Sequence, residues 1–231
     1  MFLSVVIPTR DEGQRLPGML REALDFLRHQ DWDWEILVCD NGSLDDTCEK
    51  AQALGAAVLR LPRGTPKGEA IRRGMLQTSG SWRLMADADG AVPFRAVEKL
   101  LQTGADVTIG VRPLIRPGQN PYRKLTSWAF AVAQLPLTQV RDSQCGFKLF
   151  SGPVAHRLFE QLEETSLAFD VALLLHARKL GLRIAQVPVP WYDPGPSHVT
   201  FLTGLRGFLG LGDLWIKAIR DGSGVRCHGK N

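Results

Sequence analysis

The chain has 231 residues and a formal net charge of +4, with 28 Lys and Arg against 24 Asp and Glu. That balance is mild: it suits anionic ligands or a membrane surface and does not indicate nucleic acid. A hydrophobic content of 44% supports a real core, and with no run of eighteen apolar residues nothing is expected to span a bilayer.

In chain order, Leu3 to Pro8 reads as a first strand. Gly13 to His29 places Leu16, Met19, Leu20, Ala23, Leu24 and Leu27 at helical spacing. Strands follow at 35–39, 57–61 and 82–86, separated by helices at 45–54 and 67–77. This alternation predicts a parallel sheet with right-handed crossovers. The second half is less regular. Strands are predicted at 106–110, 145–150 and 183–189, with helices ending near Gln102 and spanning 122–134, 153–162 and 169–180. No linker or internal repeat divides the chain, so one large α/β domain is expected over 1–198, followed by a C-terminal amphipathic segment and tail over 199–231.

That tail carries Phe201, Leu202, Leu205, Phe208, Leu209, Leu214, Trp215 and Ile219, interrupted by four glycines. Arg206, Asp213 and Lys217 make it too polar to cross a membrane, so it either lies in a membrane interface or packs on the domain. Five basic residues against two acidic ones from Val199 onward would favour anionic lipid. Cys39, Cys48, Cys145 and Cys227 form no C-x-x-C pair and read as reduced thiols. Met1 to Pro8 lacks a basic leader, so no signal peptide is expected and the location expected is cytoplasmic.

The polar clusters fall where strands end. Pro8-Thr9-Arg10-Asp11-Glu12, Asp40-Asn41-Gly42-Ser43 and Asp87-Ala88-Asp89-Gly90 follow the first, second and fourth strands. Open α/β sheets bind ligands at that edge. Asp87 and Asp89 repel each other unless a cation or donor sits between them, and oxygen ligands favour Mg²⁺ or Mn²⁺. Asp40 suits the imide N–H of a uracil ring, although Asp-Asn-Gly is equally a good turn. Lys67 opens a helix, where its charge adds to the dipole to attract phosphate, or it is a solvated lysine.

The motifs Ser4–Glu12, Val38–Thr47, Lys67-Gly-Glu-Ala70 and Asp87-Ala-Asp-Gly90 resemble glycosyltransferase family two. Arg141–Phe150 and Ala168-Phe-Asp-Val171 resemble the dolichyl-phosphate β-glucosyltransferases, relatives of the dolichyl-phosphate mannose synthases. The resemblance implies the GT-A fold, a Rossmann-like, mostly parallel sheet flanked by helices. It implies an inverting transfer of a hexose, glucose in this subgroup, from a UDP-sugar to a polyprenyl or dolichyl phosphate, with Mg²⁺ or Mn²⁺ as cofactor. Pro8, Thr9, Glu12, Asp40, Lys67, Asp87, Ala88 and Asp89 would then contact the nucleotide-sugar, and Asp87 and Asp89 the metal.

Asp89, Asp142, Gln144 and Arg112 are the catalytic candidates, with Arg112 where the family has Gly-Ser-Arg. Arg112, Arg123, Lys124 and His198 are candidates for the acceptor phosphate, and Lys148 adds positive charge. Asp170 is either a site residue or a helix cap. Two departures stand out: Asn41 replaces the second acid of the usual pair, and Gly195-Pro-Ser-His198 replaces Gly-Ser-Lys. A lipid phosphate is already ionised at neutral pH, whereas a soluble alcohol acceptor would need Asp142 or Asp170 as general base. A nucleotide-sugar-binding module without turnover is the third reading.

Overall fold

The computed structural model describes residues 1–113, 121–166, 168–193 and 201–220. Among the described residues seven strands form one sheet: β1 (Phe2–Thr9), β2 (Asp33–Asp40), β3 (Ala57–Arg60), β4 (Trp82–Met85), β5 (Val107–Val111), β6 (Lys148–Ser151) and β7 (Ile184–Pro188). Their spatial order is β3-β2-β1-β4-β6-β5-β7. Only β6 runs antiparallel to its neighbours; the other pairings are parallel. The expected mostly parallel sheet is therefore present.

Among the described residues there are eight α-helices: α1 (Leu16–Arg28), α2 (Thr47–Ala53), α3 (Lys67–Gln77), α4 (Val97–Leu101), α5 (Pro121–Thr138), α6 (Gly152–Glu160), α7 (Phe169–Lys179) and α8 (Phe201–Arg220). Strand β1 explains the layering. Val5 and Ile7 enter one core with Leu16, Leu20, Leu27 and Val97, while Val6 enters the other with Ile71, Met75, Phe150 and Leu173. A strand covered on both faces needs apolar residues at every position, which is why 3–8 is nearly continuous.

Several predicted boundaries move for local reasons. The first helix starts at Leu16, because Gly13 N–H is held by Asp45 Oδ2 at 2.9 Å in a turn before it. The second starts at Thr47, since Asp45 Oδ1 accepts from the Thr47 N–H at 3.1 Å. The 122–134 helix extends to Thr138, past Pro136, whose missing N–H falls in the last turn and removes one ladder bond. The strand expected at 145–150 begins only at Lys148.

The C-terminal segment forms α8 and packs on the body. Leu211, Leu214 and Ala218 join Leu137, Val171 and Leu175 in a third core. Trp215 Nε1 donates to the Ala133 carbonyl at 3.0 Å, and Phe208 meets Phe130 edge-on at 5.4 Å. Gly210 permits this approach, because a Cβ there would lie 2.9 Å from Ala168 Cβ. Leu209, Ile216 and Ile219 remain exposed, as do Trp128, Val132 and Leu135 on α5. Each of these sets follows helical spacing, so each lines one side of its helix. Among the described residues no helix is long and apolar enough to cross a membrane.

Cys39, Cys48 and Cys145 are buried free thiols, and burial pushes Cys39 up to about 12. A Cβ at Gly74 on α3 would meet Cys39 Sγ and Val6 Cγ1, both at 2.5 Å. Gly74→Ala gains about 1 kcal/mol of helix propensity but overpacks a full core at about 1–3 kcal/mol. Urea unfolding should show a net loss of roughly 1 kcal/mol with an unchanged m-value; a stabilised variant would contradict the close packing.

Candidate active site

Parallel pairing brings the functional ends of the first strands to one edge. Thr9 stands beside Asp40 in register, and β4 ends next to β1, with the Ala86 N–H donating to the Val6 carbonyl at 3.1 Å. Because β6 is antiparallel, Lys148 at its start lies beside Met85 and Ile109. The preceding loop, 142–147, thus arrives at the same edge as Asp87, Asp89 and Arg112.

At one end, Asp40 builds its own turn. Its Oδ2 accepts from the N–H groups of Gly42 and Ser43 at 3.1 and 3.0 Å, and its Oδ1 from the hydroxyls of Thr9 and Ser43. The turn needs Gly42, which has φ +73° and whose Cβ would lie 2.6 Å from the Arg63 backbone. Arg63 clamps it by donating to the Gly42 carbonyl at 2.8 Å. The neighbouring Asn41 is buried, and its Oδ1 has no partner. Glu12 is gripped through both oxygens by Arg15, at 2.7 and 2.6 Å. Pro8 sits in β1 opposite Cys39.

At the centre, Lys67 Nζ donates to Asp87 Oδ1 at 2.7 Å, and both side chains keep partial access to solvent. Burial pushes the Asp87 carboxyl up, but Lys67, Lys148 and Arg112 together outweigh it and hold it below the usual range. Asp89 goes the other way: burial and then the Asp87 charge push it up, partly offset by the Ala91 N–H, which it accepts at 3.0 Å. Ala88 between them is buried. The pair thus has the repulsion that a cation would relieve. Gly146 forms a wall against it, since a Cβ there would fall 1.8 Å from Asp87 Oδ2.

At the other end, the Arg112 guanidinium pairs with Asp142 through Nε and Nη2, both at 2.7 Å, and the Arg112 N–H adds a third bond at 3.1 Å. Lys148, expected to face anionic substrates, is instead wholly buried; it donates to the Cys145 carbonyl at 2.7 Å and to Asp170. Asp170, weighed as a cap, lies in the first turn of α7 but points inward to Lys148, and Ala168 holds the cap position. An apolar pocket admits this lysine only with its counter-ion. Ser143 Oγ and Gln144 Nε2 are buried atoms without partners.

Arg123 and Lys124 lie on α5, their side chains outside the described residues, as is His198. Among the described residues no three His, Cys, Asp or Glu side chains cluster to enclose a metal, so Asp87 and Asp89 would supply two ligands and leave the rest to a ligand or water. Residue reasoning missed Gly146, Ser143 and the orphaned Asn41 acceptor. Their only signal was position, inside or beside motifs already singled out.

The model of glycosyl transferase family 2 matches residues 4–159. The dolichyl-phosphate beta-glucosyltransferases of Mus musculus and Homo sapiens are each 36% identical over 232 residues, covering 88% of this chain and 72% of theirs. That of Dictyostelium discoideum is 33% identical over 84% of this chain and 67% of its own. Among solved structures, glucosyl-3-phosphoglycerate synthase from Mycobacterium tuberculosis, crystallised with Mn²⁺, UDP and glucosyl-3-phosphoglycerate, has a TM-score of 0.70 at 22% identity, covering 91% of this chain and 78% of that one. Mannosyl-3-phosphoglycerate synthase from Rubrobacter xylanophilus has a TM-score of 0.70 at 19% identity, covering 100% and 78%. At those identities the likeness is one of fold.

Removing Asp170 leaves an uncompensated buried ammonium, so Asp170→Ala should cost about 3–5 kcal/mol in urea unfolding. Adding Lys148→Met should restore part of that loss. Additive losses in the double variant would mean that the two charges do not depend on each other.

Proposed function

Since this chain belongs to glycosyl transferase family 2, we propose that it transfers glucose from UDP-glucose to a polyprenyl phosphate, inverting the anomeric centre. The observation that carries the acceptor assignment is the state of its carboxylates. Asp142 is locked to Arg112 and Asp170 to buried Lys148. Neither is placed to take a proton from an alcohol, whereas a phosphate monoester arrives already ionised. The 36% identity to dolichyl-phosphate beta-glucosyltransferases over most of the chain supports the same class.

In this reading a phosphate oxygen of the lipid attacks the anomeric carbon from the face opposite UDP. The new C–O bond forms as the old one breaks, and UDP leaves with the electron pair. Asp87 and Asp89 would hold Mg²⁺ or Mn²⁺, which would supply positive charge against the growing charge on the diphosphate. Crystallisation of a structural neighbour with Mn²⁺ and UDP is in keeping with this. Lys67, at the start of α3, adds charge and helix dipole to the same phosphates. Pro8, Thr9 and Glu12 border the nucleotide.

Base recognition passes from Asp40, filled by its own turn, to Asn41. Its unpartnered Oδ1 suits the uracil imide N–H, and an amide also offers a donor to the adjacent ring carbonyl. Arg112, oriented by Asp142, and the unpartnered Ser143 and Gln144 groups face the sugar and acceptor, with Arg123, Lys124 and His198 as further acceptor contacts. The exposed stripes of α8 and α5 bring the domain to the cytoplasmic face of a membrane, where such a lipid resides.

Radiolabelled UDP-glucose with Mg²⁺ and polyprenyl phosphate should carry label into the organic phase. Asp89→Ala should lower that rate at least ~10²-fold, within the range set by loss of one electrostatic element. Label that stays aqueous across several donors and lipids would sink the assignment. In liposome flotation, Leu209→Ser/Ile216→Ser should shift the protein out of the lipid layer by severalfold. Equal flotation of variant and parent would refute attachment through α8.

A further inference from the structure

We propose that Lys67 is a built-in competitor of the divalent cation, occupying Asp87 until the donor's diphosphate draws it away. This rests on the reading above that Asp87 and Asp89 hold the metal. Lys67 Nζ lies 2.7 Å from Asp87 Oδ1, where it already satisfies the carboxylate that a cation would need. Asp87 does not withdraw toward Gly146, where even a Cβ would overlap its other oxygen. A cation therefore reaches Asp87 only as the ammonium leaves.

Among the described residues the charges of Lys67, Lys148 and Arg112 act on Asp87, and of these Lys67 is the one placed to exchange. Lys148 is fully buried and held by Asp170 and the Cys145 carbonyl. Arg112 is fixed by its two-point pairing with Asp142. Lys67 alone of the three keeps a side chain 38% exposed. Its backbone is pinned next door, where the Gly68 N–H donates to the Thr165 carbonyl at 3.1 Å, and a Cβ on Gly68 would lie 2.6 Å from that carbonyl. A fixed pivot carrying a flexible four-carbon stem can swing its charge from Asp87 to a phosphate without moving the helix.

The consequence is coupling. UDP attracts Lys67 and thereby clears Asp87 for the metal, so each ligand favours the other by the same factor. Without a nucleotide the metal must displace an ion pair and binds weakly. The device keeps the site from loading metal before the donor arrives.

The test is Mn²⁺ titration of the full chain, followed by the electron paramagnetic resonance signal of free Mn²⁺, with and without UDP. Without UDP, Lys67→Met should bind Mn²⁺ about tenfold more tightly than the parent, the scale expected for removing one nearby charge at a half-exposed site. Lys67→Arg should stay at the parent's affinity. The enhancement of Mn²⁺ binding by UDP should shrink in Lys67→Met, and adding Asp87→Asn should abolish its gain. Equal or weaker Mn²⁺ binding by Lys67→Met without UDP, in a parent whose Mn²⁺ uptake UDP enhances, overturns the competitor role while leaving the metal reading intact. A gain that survives Asp87→Asn also overturns it. No Mn²⁺ uptake by the parent even with UDP overturns both.

Discussion

The site depends on one buried ion pair. Lys148, at the first position of β6, reaches Asp170 on α7 and returns to the Cys145 carbonyl. That triangle ties the 142–147 loop to a helix on the far side of the sheet core. The loop in turn places Gly146 against Asp87 and Asp142 against Arg112. A charge in an apolar interior is costly on its own, so losing either partner would be strongly destabilising.

Electrostatics then divide the edge into committed and available charge. Arg112 with Asp142, Arg15 with Glu12 and Lys148 with Asp170 are closed pairs. Asp89 is left with one backbone donor and a neighbouring carboxylate that repels it. Such a site asks for positive charge from outside, and the proposed chemistry supplies it together with two anionic substrates. The absence of an uncommitted base at Asp142 or Asp170 is what separates a phosphate acceptor from an alcohol.

Much of this was readable in the residues. The four strands and three helices of the first half carried strong periodicity, and the clusters at 8–12, 40–43 and 87–90 fell at strand ends, as the topology requires. The start of β6 was misplaced because Cys145-Gly-Phe147 continues an apolar run, although Gly146 there serves a close approach rather than a strand. Lys148 looked like a surface cation because lysine usually is one. Its burial had one sign in the sequence: a lone lysine among Phe147, Leu149 and Phe150 needs a counter-ion, and Asp170 stands in an equally apolar helix start. The role of Asp40 is ambiguous in the sequence because the same carboxylate serves a turn and a base equally well; the hydrogen bonds of Gly42 and Ser43 show that it builds the turn.

The antiparallel strand also shapes how the molecule is made. Strand β6 lies between β4 and β5 but follows both along the chain. During synthesis, β4 therefore leaves the ribosome with one ladder of backbone groups unpaired, and β5 has no sheet to join until residues beyond 148 emerge. An exposed edge of that kind invites pairing with other chains. The central edge of the sheet is thus completed only after β6 has emerged, and β7 closes the far side of β5 later still.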